Sequence, residues 1–296
     1  MRGLVLGAVL VAAVACAAGS GGSTADPAPA TAPVAAPPPT STLPPAAAPP
    51  VIRLGPSALR YAVQRQLHIE QDLPGQVPTD LSYRVYLAAT ILGPADTAGY
   101  PVTFTVDSMV ADSGTYVPPT INLAAARSLL FTGRLAPTGE LRNVAPSDSV
   151  VARSLGQLLG SPREFFPRLP AGGLLLGSAW VDTVVTTERG SGGSAEVTVR
   201  AVNHSSAARW EDRNGVRCLR IDVTSTFTLQ GAGQQGGQSY ELTGEGTRAA
   251  IEFVSIDGRY LGGESLDSTR YTVKLPAQGF SVPVRQVLRA IVTVLP

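Results

Sequence analysis

Residues 59–70 read LRYAVQRQLHIE, and the side chains change character at every second position. Leu59, Tyr61, Val63, Leu67 and Ile69 share one face, while Gln64, Gln66, His68 and Glu70 share the other. A period of two is the mark of a half-buried strand. The same alternation returns in LSYRVYLAATIL (81–92), through Leu81, Tyr83, Val85, Leu87, Ala89 and Ile91. It returns again in PVTFTVDSMV (101–110), through Val102, Phe104, Val106 and Val110. Three consecutive antiparallel strands are predicted. A hairpin over 127–144 follows, turning where Pro137 presets φ and Gly139 supplies a positive one.

The pattern then shifts to helical spacing. After Ser147 or Asp148 as N-cap come Val150, Val151, Leu155, Leu158 and Leu159, with Gly160 as a stop, so one amphipathic helix is predicted over 148–159. A proline-punctuated loop leads to Trp180. Six further alternating stretches run to the C-terminus, with turn signals at Asn214-Gly215 and Asp257-Gly258. About ten strands and one helix predict a mostly β domain: a large antiparallel curled sheet or half-open β-barrel, since open twisted sheets of that width rarely stay flat. Residues 51–296 are read as a single domain. The hairpins LLFTGRLAPTGELRNV and AAIEFVSIDGRYLGGESL give it the outline of a two-part pseudo-repeat, 58–145 and 176–296.

Composition excludes some partners. Charged residues are 15% of the chain and the formal net charge is +1, so there is neither a basic field for nucleic acid nor an acidic one. Residues 19–50 hold almost no charge and no large side chain beyond Leu43. Such a stretch cannot bury enough surface to offset chain entropy, and its prolines favour extended polyproline II segments. It reads as a semi-rigid stalk.

The stalk follows LVLGAVLVAAVACAAGSGG (4–22), an apolar run behind Arg2 that is shorter than the about 20 residues needed to cross a bilayer. It reads as an export signal over 1–15. AVAC at 13–16 resembles the bacterial lipobox, although Ala13 stands where leucine is usual. That resemblance implies cleavage before Cys16 and lipidation of its thiol; Ala17 then implies outer-membrane sorting in a two-membrane bacterium. The alternative is cleavage at 13–15 as an ordinary secretory signal. Cys16 and Cys218 are the only cysteines, too few for a disulfide framework, and a lipid gives Cys16 a purpose.

Chemistry-bearing patterns are sparse. His68 and His204 are the only histidines, and neither has metal-ligand spacing. His204 stands beside Ser205 and Ser206, but neighbours on a strand point to opposite faces. Glu211 and Asp212 flank the Asn214 turn like an exposed hairpin end, and Asp107, Asp112 and Asp182 are scattered. GSGG (190–193) and QGAGQQGGQ (230–238) lack a following helix or lysine and read as flexible hairpin tips rather than phosphate loops. Cys218 falls on a polar face with Arg220, Asp222 and Thr224, without a resolving cysteine or an evident base. No catalytic residue, metal site or cofactor is assigned.

FFPRLP (165–170), followed by LLLGSAW (174–180), resembles a family of bacterial lipoproteins with a Phe-Pro-x-Leu-Pro step before a Gly-x-x-Trp strand. Ala179 departs from the polar residue usual before that tryptophan. The architecture also looks like the open-barrel lipid carriers of the cell envelope. Together these readings imply a lipid-anchored envelope protein, facing the periplasm or the cell surface, that binds a hydrophobic ligand or lipid without enzymatic turnover. Phe165, Phe166 and Trp180 are expected at the rim of the concave site, with Tyr86, Ala88, Met109, Val197 and Val202 as apolar residues on nominally polar faces. The helix at 148–159 either borders that concavity or fills it. The rival reading is an assembly lipoprotein holding another envelope protein, and a hydrolase with an unrecognised site comes third.

Overall fold

The computed structural model describes residues 50–296 apart from 116, 118–120, 161, 190–194 and 236. The export signal, Cys16, nearly all of the stalk and the GSGG tip therefore lie outside the described residues. Eleven strands form one antiparallel sheet: β1 (Ser57–Gln71), β2 (Thr79–Ile91), β3 (Tyr100–Ala111), β4 (Leu130–Leu135), β5 (Leu141–Pro146), β6 (Ala179–Arg189), β7 (Ala195–Arg213), β8 (Val216–Gln235), β9 (Gln238–Ser255), β10 (Tyr260–Leu275) and β11 (Phe280–Val294). One helix, α1 (Ser149–Leu159), interrupts the series. Among the described residues no helix is long and apolar enough to cross a membrane.

The strand order is β5-β4-β3-β2-β1-β11-β10-β9-β8-β7-β6. Every neighbour is also a neighbour in sequence except β1 and β11, the two ends of the sheet-forming chain, which pair from Tyr61↔Val294 to Gln71↔Val284. The free edges are thus β5 and β6, consecutive in the chain and joined by residues 147–178. The sheet curls without closing, and the joining segment sends Leu155, Leu158, Phe166, Leu169 and Leu174 into the core.

Alternation sorts the two faces. Tyr61, Leu67 and Ile69 of β1, Tyr83, Val85 and Ala89 of β2, and Leu219 and Ile221 of β8 are buried on the concave side. One exception corrects the sequence reading. Between β2 and β3 the register slips, with Tyr86 opposite Ser108 and Leu87 opposite Val106. This bulge turns Met109 inward, 5% exposed, and Val110 outward, 43% exposed, reversing the faces read from periodicity.

Helix α1 begins where its cap predicts: the Asp148 carboxylate accepts from the backbone N–H of Val150 and Val151 at 2.8 and 3.0 Å. Beyond it, the proline-rich loop plugs one end of the curl. Leu169 N–H donates to Thr138 O at 2.8 Å, and Ile52 and Leu174 exchange backbone bonds of 2.9 and 2.8 Å. Leu54 N–H donates to Pro137 O at 3.1 Å. Loop, N-terminal segment and β4–β5 turn are thereby tied together. Beneath them lies an aromatic cluster in which Phe165 meets Tyr61, Phe104, Phe166 and Tyr260 at centroid distances of 5.0, 5.3, 5.1 and 5.7 Å. The Tyr61 hydroxyl donates to Tyr260 O at 2.9 Å.

Phe166 is 3% exposed within that cluster. Phe166→Ala is expected to lose about 3–5 kcal/mol of stability in urea unfolding, the range for emptying an aromatic site in a core. Asp148→Ala, which removes only the cap, is expected to lose about 1 kcal/mol.

Candidate functional site

The concave face is mostly apolar, and one line of polar residues crosses it. Asp182 of β6 pairs with Asn203 of β7, Asn203 with Ser225 of β8, Ser225 with Arg248 of β9, and Arg248 with Asp267 of β10. In each strand the residue occupies an inward position between apolar or small ones. Direct register therefore makes a polar row across five adjacent strands.

That row lines a cavity of about 190 Å³ within the curl. Five carboxyl groups (Glu164, Asp182, Glu252, Glu264, Asp267) and three guanidinium groups (Arg65, Arg168, Arg248) contribute to the walls. Phe165, Phe166, Val223, Phe227 and Val292 supply apolar surface. Leu159 and Gly160 bring the end of α1 to the wall. Gly160 sits at φ 74°, and a Cβ there would run into the Arg65 guanidinium, so the helix stop also admits that arginine.

The row is only partly satisfied internally. Asn203 Nδ2 donates to Asp182 Oδ2 at 2.9 Å. Arg248 Nε stands 3.6 Å from Asp267 Oδ1, an ion pair too long for a hydrogen bond. Asp182 Oδ1, Ser225 Oγ, Asp267 Oδ1 and Arg65 Nε are buried without a hydrogen-bond partner. Ser225 is 5% exposed and Asp267 8%. Burial pushes the Glu252 carboxyl above the usual carboxylate range, opposed by Arg248 and reinforced by Asp182. Burial raises Asp267 in the same way, against the pull of Arg248 and Arg65. Arg168 is pulled below the ordinary arginine value by burial, against the carboxylates of Glu140, Asp182 and Glu164.

Of the residues singled out from sequence, Phe165 and Phe166 are brought to the cavity and line it. Trp180 lies on the inward side of edge strand β6 opposite Ser205, itself in the wall, but does not line the cavity. Met109 packs in the core opposite Val85, away from it. Tyr86 does not line the cavity: it alternates with the inward Val85 and so faces outward, because the concave side is the regular apolar face and not the nominally polar one. Ala88 and Val202 share that outward phase, while Val197 packs on the core. The wall accordingly mixes charged and polar groups with apolar ones.

The remaining candidates stand apart. His204 is exposed on the outer face of β7, and Ser205 points inward. His68 is held on the outer face by Asp80 at 2.7 Å and Glu70 at 3.2 Å; these hydrogen bonds, Asp80 first, raise its pKa. Asp107 pairs with Arg60 at 2.9 Å, and Asp112 with Arg84 at 2.8 Å. Cys218 is buried, its thiol donating to Glu211 O at 3.3 Å; desolvation raises its pKa and so disfavours the thiolate. The glycine-rich 230–238 stretch is mostly strand, since β8 runs to Gln235 and β9 starts at Gln238.

No protein-family model and no curated protein matches the chain. Among solved structures it is similar to OccK2 (OpdF) of Pseudomonas aeruginosa at 10% identity, covering 81% of this chain and 98% of that one with a TM-score of 0.27. It is similar to OccK9 (OpdG) of the same organism at 9% identity, covering 80% and 98% with a TM-score of 0.23. DynF from the dynemicin biosynthesis pathway of Micromonospora chersina follows at 10% identity, 84% and 86% coverage and a TM-score of 0.22. At scores this low nothing of those proteins' roles transfers to this chain.

The raised Glu252 carboxyl fixes a pH dependence. A carboxyl with a higher pKa when folded than when unfolded holds its proton more tightly in the native state. Stability then falls as pH rises from the unfolded value, about 4.3, through the folded one. Glu252→Gln cannot ionise and escapes that loss. Its melting temperature is expected to exceed that of the parent at pH 8, with the gap narrowing toward pH 4 in thermal unfolding followed by circular dichroism.

Proposed function

We propose that this is a lipid-anchored cell-envelope protein whose curled sheet binds a small molecule in its cavity without chemical turnover. The observation that carries the reading is the polar row facing the cavity with unpartnered atoms. Native proteins seldom leave buried donors and acceptors unanswered, and a ligand or ordered water is the usual answer. The cavity is smaller than the roughly 300 Å³ at which pockets for drug-sized ligands begin, so the occupant is small. Both histidines and Cys218 stand outside the cavity wall, so its charged side chains are carboxyls and guanidiniums. Support for the envelope address comes from the export-type leader, the AVAC stretch at 13–16 and the proline-rich stalk.

An assembly role has one observation in its favour. Edge strand β6 exposes Val181 and Val185 on its outer side, 60% and 52% accessible, beside an unpaired sheet edge. Such an edge can receive a strand from a partner.

Two measurements test the reading. Radiolabelled fatty acid is expected to enter the parent chain and Cys218→Ser but not Cys16→Ser. Residues 17–296 exported behind an ordinary cleavable signal and purified without detergent are expected to show, in native mass spectrometry, the polypeptide plus one small ligand at fixed stoichiometry. A bare polypeptide mass with a co-isolated protein bound along β6 would replace the binding reading with the assembly one.

A further inference from the structure

The unanswered atoms of the cavity define what would satisfy them. Asp182 Oδ1 and Asp267 Oδ1 are acceptors without donors, Arg65 Nε is a donor without an acceptor, and the Ser225 hydroxyl, able to do either, has no partner. Ser225 and Asp267 are more than nine-tenths buried, and both line the cavity. An amine only donates and leaves the arginine unanswered. An anion only accepts and leaves the carboxylate oxygens unanswered. A hydroxyl does both, and each buried group left unpaired costs about 1–3 kcal/mol.

Three further observations point the same way. Among the described residues no three His, Cys, Asp or Glu groups stand together to hold a metal ion, so the carboxylates do not form a cation cage. Three guanidinium groups stand among five carboxyl groups in the wall, two of the carboxyls with pKa values raised by burial, so the wall has no strong excess of either charge and suits a neutral occupant better than an ion. Phe165 and Phe166 bring ring surface to the wall, and the negative face of an aromatic ring suits the C–H face of a saturated ring.

We infer that the cavity binds a neutral polyhydroxylated molecule of about monosaccharide size, its hydroxyls bridging the Asp182–Asp267 row and Arg65. This rests on the proposal that the cavity is a binding site.

The test is calorimetric titration of residues 17–296 with D-glucose, D-galactose, D-ribose and myo-inositol, alongside putrescine as an amine probe and succinate as an anion probe. At least one polyol is expected to bind saturably at one site, with neither putrescine nor succinate doing so. Asp267→Asn is expected to weaken that binding about tenfold or more, the loss of one charge-assisted hydrogen bond. Ser225→Ala, which removes a single hydroxyl with little change of volume, is expected to weaken it about fivefold and covers the case in which Asp267→Asn perturbs folding. Arg60→Gln, on the outer face, is expected to leave it unchanged. Binding of putrescine or succinate alone, or polyol binding indifferent to both cavity substitutions, overturns the ligand class. A bound acyl lipid in the native mass overturns the class but leaves the binding reading standing. No bound molecule in either measurement removes both.

Discussion

Pairing between β1 and β11 is the constraint on which the rest of the architecture depends. Every other ladder joins strands adjacent in the chain, whereas this one joins the beginning of the sheet to its end. Without it the molecule would be two separate meanders, each with an apolar face open to water. With it, the free edges fall at β5 and β6, and the chain that links them has to pass along the mouth of the curl. Topology rather than their own propensity therefore brings Leu155, Leu158, Phe166, Leu169 and Leu174 of this link into the core. Loop closure across more than two hundred residues is entropically costly, so the pairing must be secured by many apolar contacts formed together.

The same constraint explains why the linking segment reads ambiguously on its own. FFPRLP has no periodicity, and its prolines remove donors that a sheet would need. It can be buried only where its remaining polar groups find backbone partners, and the β4–β5 turn supplies them. Phe165 then serves as the hub of rings drawn from β1, β3 and the start of β10.

Much of the fold was legible in the sequence. Period-two stretches located the strands, Asp148 and Gly160 bounded the helix, and Asn214-Gly215 marked a hairpin at φ values of 50° and 76°. What could not be read was register. The bulge at 107–108 inverts the face of Met109 and Val110, and nothing local announces it. The polar row fails to declare itself for the same reason. Asp182, Asn203, Ser225, Arg248 and Asp267 are each one exception within a strand, separated by 19 to 23 positions along the chain. Only pairing across four ladders turns five local exceptions into a line. The available signal was weak but real: each residue sits on the apolar phase of its strand, as Asp267 does between Ser265 and Thr269 on the face shared with Tyr271 and Val273.

The energetics of that line bear on its purpose. A carboxylate or guanidinium in a low-dielectric interior loses several kcal/mol of hydration, and a pair regains this only with close geometry and further hydrogen bonds. The Arg248–Asp267 contact is not close, and the Asp267 Oδ1 that faces Arg248 has no hydrogen bond to compensate. Were the interior merely to be filled, leucine or valine at these positions would serve stability better, as they do at Leu67, Val184 and Leu229 on the same concave surface. The bulge, the helix stop and the plug each resolve a local strain or satisfy a backbone group. The polar row resolves nothing in the isolated chain. Asp182 Oδ1, Ser225 Oγ and Asp267 Oδ1 are aligned, inward-facing and without a hydrogen bond from the protein, an arrangement that becomes favourable when something else enters the cavity.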